Sequence, residues 1–130
     1  MVNLEALLKC EGYEYSLAEN GSLAVSLLFD DDRHQAVYID LVSNPKLGVA
    51  VCHIYSFASR ESVHGEKVLR ACLTDAGKHT LGSWELRDGR PCFCVKTLVA
   101  FSSTELCYLL NYVGVVADEF ERQHWGHDRC

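Results

Sequence analysis

Between Ser102 and Trp125, the residues Leu106, Leu109, Leu110, Val113, Val116, Ala117 and Phe120 recur at helical spacing. Positions three and four apart share one helix face, so the pattern predicts a long amphipathic helix reaching about His124. Ser102-Ser103-Thr104-Glu105 stands before it, in the hydroxyl-then-carboxylate order that satisfies the first backbone N–H groups of a helix. In proteins, most helical stability comes from packing an apolar face against something else. The rest of the chain must therefore supply an apolar surface.

It does so in alternating runs. Tyr13 to Leu17 alternates with period two, and Leu23, Val25, Leu27 and Phe29 alternate with Ala24, Ser26 and Leu28. Asn20-Gly21 between them is a hairpin signal, because both residues tolerate positive φ. Asp30-Asp31-Asp32-Arg33 makes the next turn. A third strand is expected over Gln35–Val42, with Val37, Ile39 and Leu41 on one face, ended by Asn44-Pro45. A fourth is expected over Leu47–Phe57, with Val49 and Val51 opposite Ala50, Cys52 and Ile54. Short connections imply an antiparallel meander.

Two further helices are expected. The first follows Asn3, a good N-cap, carries Leu4, Leu7 and Leu8, and ends at Gly12. The second covers roughly Glu61–Ala76, with Val68, Leu69, Cys72, Leu73 and Ala76 facing inward. Its first turn is weakened by Gly65, and Gly77 is its C-cap. Leu81–Leu86 and Pro91–Val99 then flank Asp88-Gly89 as a last hairpin, with Trp84, Leu86, Phe93 and Val95 as buried candidates. The order is α-β-β-β(-β)-α-β-β-α over residues 1–130. Strands that run together, rather than alternating with helices, predict an α+β fold with an antiparallel sheet and flanking helices.

Charge and cysteine content narrow the functional classes. Eighteen acidic residues oppose twelve basic ones, a net charge of −6. Such a surface repels phosphate backbones and anionic lipid, so neither nucleic acid nor membrane is an expected partner. No apolar run nears the roughly 20 residues that cross a bilayer. The N-terminus lacks the basic and apolar segments of a signal peptide, so the cytoplasm is the expected compartment. The seven cysteines are scattered and odd in number, which suits buried thiols in a reducing compartment.

No cofactor is expected from motifs. The glycines form no phosphate loop, and Asp30–Asp32 lacks the downstream glycine and glutamate of a calcium loop. His124, His127 and Cys130 form the one metal-like cluster, with imidazole and thiolate ligands that suit zinc, but three ligands need a fourth or an open position. Cys92-Phe93-Cys94 places two thiols on one strand face; as a nucleophile, Cys94 would need a base such as His53 or His79. Asp118, Glu119 and Glu121 read as a solvated acidic face or as a contact for a basic partner.

Apolar residues outside the main stripes point to a binding surface. Tyr38 lies opposite Val37 and Leu28 opposite Leu27, while Tyr108, Tyr112 and Val115 lie beside the inward stripe of the last helix. A sheet covered on one side needs only one apolar face. The second face is thus expected to meet a helix, a protein or peptide client, or a second copy of the chain, with Tyr38, Tyr108 and Tyr112 as candidate contacts.

Gly12-Tyr13-Glu14-Tyr15, Asn20-Gly21-Ser22-Leu23, Val25 to Arg33, Gly82-Ser83-Trp84-Glu85-Leu86 with Gly89-Arg90, and Ala117-Asp118-Glu119-Phe120 follow one another along nearly the whole chain. In these features the chain resembles the YbjN-like family, whose domain is similar to the type III secretion chaperone fold. The resemblance implies a small α+β module that binds extended or helical client segments, commonly as a homodimer. It transfers no catalytic residue. The function expected is thus non-enzymatic, chaperone-like or regulatory protein binding. The alternative is a small metal- or thiol-dependent enzyme, or a zinc protein, using the C-terminal His and Cys residues.

Overall fold

The structure, a computed structural model, describes residues 3–18, 21–29, 33–59, 66–99 and 102–125. Its elements are α1 (Leu4–Cys10), β1 (Glu14–Leu17), β2 (Leu23–Leu28), β3 (His34–Asn44), β4 (Val49–Phe57), α2 (Glu66–Ala76), β5 (Ser83–Arg87), β6 (Arg90–Leu98) and α3 (Ser103–Trp125). The strands form one six-stranded antiparallel sheet in the order β1-β2-β3-β4-β6-β5. The α+β class and the expected element order are both present.

Local chemistry sets the boundaries. The Asn3 side chain accepts from the Ala6 N–H at 3.1 Å, starting α1, and Gly12 takes φ +76° just past its end. Asp88 and Gly89 both have positive φ, so the β5–β6 hairpin turns in the sense that matches strand twist. Ser102 Oγ accepts from the Glu105 N–H while the Glu105 carboxylate accepts from the Ser102 N–H, each at 3.2 Å, closing a reciprocal cap on α3. The Asn20 half of the first turn, the Asp30–Asp32 cluster and residues 61–65 lie outside the described residues.

The core forms on one face of the sheet. Val25, Leu27, Val37, Ile39, Cys52, Ile54, Phe93 and Val95 point to that face and pack with Leu4 and Leu8 of α1 and with Leu106, Leu110, Val113 and Val116 of α3. α2 docks on the same side, through Cys72 against Phe120 and Trp84. Gln35, on the same face, is buried and donates to Ser56 Oγ and to the Phe57 carbonyl, both at 2.8 Å.

Expectations about burial are corrected at several positions. The inward face of α2 is Val68, Ala71, Cys72 and Asp75; Leu69 is exposed and Leu73 is 76 % exposed. The cause is polar: Asp75 accepts hydrogen bonds from Trp84 Nε1 at 2.9 Å and from His79 Nε2 at 2.8 Å, which turns the leucines outward. Leu41 shares the face of Val37 and Ile39, as expected, but is exposed because β3 and β4 run past the core to Asn44 and Val49. Leu86 is likewise exposed, at the edge strand β5.

Asp118 and Glu121 are not a solvated face. Both are buried, and only Glu119 of that run is exposed. Arg33, which enters β3, reaches Asp118 at 2.7 Å and ties the strand to α3. Burying a carboxylate demands such a partner. The basic contact is internal.

Candidate functional site

With α1, α2 and α3 on one side, no helix covers the other face of the sheet among the described residues. Strand alternation aims Tyr38 and Asp40 of β3, Tyr55 and Phe57 of β4, and Cys92 and Cys94 of β6 at that face. Register brings them together: Tyr38 sits opposite Tyr55, and Tyr55 opposite Cys94. The Tyr38 and Tyr55 rings stack with centroids 5.4 Å apart and planes inclined by 20°. Phe57 meets both edge-on, at 5.9 Å and 5.8 Å. These are the arrangements that ring quadrupoles favour.

Two arginines from either side of the Asp88-Gly89 turn lie over this platform. The Arg87 guanidinium is 3.8 Å from the Tyr55 ring centre, and that of Arg90 is 3.8 Å from the Phe57 ring centre. Cation–π contact of this kind holds the guanidinium plane in place. Together with Asp40, Asp88 and Ala18, these residues line an open concavity of about 400 Å³. Beyond it the same face becomes aliphatic: Val42 pairs with Val51, and Val51 with Leu98.

The charges are unevenly matched. Arg87 lies 3.5 Å from Glu85 and 3.8 Å from Asp40, and Glu85 also binds Lys96 at 2.5 Å. Burial raises the Glu85 pKa, but Lys96 and Arg87 outweigh it and hold the carboxyl below its ordinary value. Burial, helped by Lys96 and Arg87, lowers the His53 pKa from its ordinary value. Arg90 differs. Its Nε donates to the Ser59 carbonyl at 2.8 Å, and among the described residues no carboxylate pairs with it.

The buried thiols on both faces, Cys92 and Cys94 under the platform and Cys52 and Cys72 on the helix side, are poor nucleophiles. Burial pushes Cys52 and Cys92 up to about 12 and Cys72 up to about 11, and raises Cys94. Nucleophilic attack needs the thiolate, and these groups remain protonated at neutral pH. His79 is no base for Cys94 either, because its ring packs on Phe93 at 5.2 Å, on the helix side of the sheet.

The three tyrosines expected as contacts are dispersed. Tyr38 stands on the aromatic platform. Tyr108 is 71 % exposed on α3, on the other side of the sheet. Tyr112 is half-buried, donates its hydroxyl to the Leu81 carbonyl at 2.8 Å, and packs on Phe93. His124 packs its ring on Phe120 at 4.2 Å, while His127 and Cys130 lie outside the described residues. Among the described residues, no three His, Cys, Asp or Glu side chains gather as a metal site. No helix there is long and apolar enough to cross a membrane.

Tyr55, Phe57, Arg87 and Arg90 escaped the sequence reading. A signal existed for each. His53, Tyr55 and Phe57 alternate with the buried Cys52, Ile54 and Ser56, and arginines flank the Asp88-Gly89 turn. No protein-family model matches this chain, and no curated protein matches it in sequence.

Proposed function

We propose that this protein is a non-enzymatic binding module, chaperone-like or regulatory as its YbjN-like resemblance implies, that docks a segment of a partner protein on the helix-free face of its sheet. One observation carries this reading: the stacked Tyr38–Tyr55 pair with Phe57 and the overlying Arg87 and Arg90, on a face that no described helix covers. Tyrosine and arginine are enriched among the residues that carry binding energy, tyrosine because its rigid ring buries a large surface at small entropic cost and arginine because its planar fork pairs with acceptors while its face stacks on rings. The aliphatic continuation at Val42, Val51 and Leu98 lengthens the surface to suit an extended segment. Six free cysteines among the described residues suit a reducing compartment, in keeping with a cytoplasmic role.

The test is comparative capture from native extract. Wild-type protein is expected to retain a stoichiometric partner, and Tyr38→Ala to hold it about thirtyfold more weakly, the loss of a hot spot of about 2 kcal/mol. Tyr38→Phe keeps the ring and is expected to retain capture. Circular dichroism confirms that each variant is folded. Equal capture by Tyr38→Ala would contradict docking on this face. Light scattering on the same samples shows whether the partner is a second copy of the chain.

A further inference from the structure

We infer that the concavity under Arg90 is a carboxylate subsite, in which the Arg90 guanidinium takes an acid group of the partner segment while Tyr38 and Phe57 take the ring or chain beside it. This rests on the docking reading above and names the chemistry of what docks.

The assignment follows from which cation is spare. Arg87 is flanked by Glu85 and Asp40, so its charge is matched within the protein. Arg90 spends Nε on the Ser59 carbonyl and its flat face on the Phe57 ring. Its two terminal nitrogens have no acceptor among the described residues and border the concavity. A guanidinium held in one plane with two parallel N–H donors free matches the fork of a carboxylate.

Charge also decides between carboxylate and phosphate. Asp40 and Asp88 line the same hollow. With Asp40 set against Arg87, the hollow holds one spare guanidinium among carboxylates, so a single negative charge is matched there and the second charge of a phosphate is not. Beside it the half-buried Tyr38 and Phe57 rings offer apolar surface, while Tyr55 is buried between Tyr38 and Arg87. The favoured ligand is a carboxylate carried next to an aromatic or long apolar group. The C-terminal carboxylate of a segment that ends in an aromatic or long apolar residue presents it.

Small probes separate this claim from the docking reading. The full chain is titrated with N-acetyl-L-phenylalanine, with its primary amide and with phenyl phosphate, observing the ring signals of Tyr38 and Phe57 and the Arg90 Nε–H by NMR. The acid is expected to bind with millimolar affinity and to shift all three, with the amide at least about tenfold weaker, as a charge-assisted fork requires. Arg90→Gln is expected to abolish the difference between acid and amide. Arg90→Lys, which keeps the charge without the fork, is expected to keep part of it. Equal affinity for acid and amide, phenyl phosphate binding more tightly than the acid, or wild-type behaviour in Arg90→Gln would each overturn the assignment. Failure of the acid to bind, with capture still lost in Tyr38→Ala, removes the carboxylate and leaves the docking face. Binding of the acid at Arg90 with capture intact in Tyr38→Ala keeps the subsite and removes the docking reading.

Discussion

Phe93→Ala is expected to lower stability by about 3–5 kcal/mol, the cost of deleting a fully enclosed aromatic ring. Phe93 has no solvent exposure, and β6 is hydrogen-bonded on both sides, to β4 and β5. Its ring is ringed by others: His79 at 5.2 Å, Trp84 at 5.4 Å and Tyr112 at 5.8 Å. Flat rigid side chains relax poorly into a void, so the cavity persists and its walls lose their contacts. The backbone is fitted to this ring as well. At Gly82, φ is +87° and an added Cβ would lie 2.7 Å from Phe93 Cζ. With total stabilities of about 5–15 kcal/mol in ordinary domains, the loss removes a large share of the fold. Urea unfolding measures it as a lower midpoint with an unchanged slope. A shift of under about 1 kcal/mol would be the behaviour of a surface residue and would contradict the core placement.

Gly114→Leu is the second large effect, expected at about 2–3 kcal/mol, as for overfilling a close-packed contact. Glycine in mid-helix costs about 1 kcal/mol relative to alanine, so its place in α3 has to be offset by packing. The geometry supplies that offset. A Cβ at Gly114 would lie 2.7 Å from Leu27 Cδ1 and 3.2 Å from Val37 Cγ2, so α3 approaches the sheet closely there. Alanine asks that the Leu27 tip turn aside and that Val37 give by a few tenths of an ångström, while helix propensity improves, and Gly114→Ala is expected to change stability by less than about 1 kcal/mol. Leucine has no such exit, because Val37 is fully buried and β-branched. Gly77→Ala is the control: its nearest contact would be the Thr74 carbonyl at 3.5 Å, and a change within about 0.5 kcal/mol is expected. Thermal unfolding of the set gives the ranking. A Gly114→Leu variant as stable as the wild-type protein would mean that α3 does not lie on β2 and β3.

Much of the fold was legible because its signals are local. Asn3, Gly12, Asp88-Gly89 and Ser102–Glu105 act within a few residues of themselves, and each element follows from its own period. What failed to show depends on distant partners. The turn of α2 is fixed by Trp84 and His79 bonding Asp75, so the expected stripe kept Val68 and Cys72 but was rotated toward Leu69 and Leu73, which are exposed. Burial of Asp118 depends on Arg33, far upstream in the chain. That β6 pairs with β4 and leaves β5 at the edge has no local marker either.

The candidate site was legible in one residue of five. Tyr38 stood out because it opposes Val37 on a strand whose other face is plainly core. Tyr55 and Phe57 were hidden by the hydrophobic run of β4, where both faces carry apolar residues and period two loses contrast. Arg87 and Arg90 read as ordinary shoulders of a hairpin. Their role appears only when the register lays them over rings from a strand far earlier in the chain.

The one-sided sheet is tested most directly by solvent contact on its two faces. Methyl-labelled protein with a soluble paramagnetic gadolinium chelate gives this in one titration. Val42 and Leu98, which are 41 % and 55 % exposed on the helix-free face, are expected to broaden strongly, and the Tyr38 ring to broaden partly. Val37, Ile54 and Val95, on the helix-covered face, are expected to stay sharp. Equal protection of Val42, Leu98 and Tyr38 would show that something already covers the second face. Broadening of Val37 or Val95 would show the strands turned over, and either result would contradict an open aromatic platform.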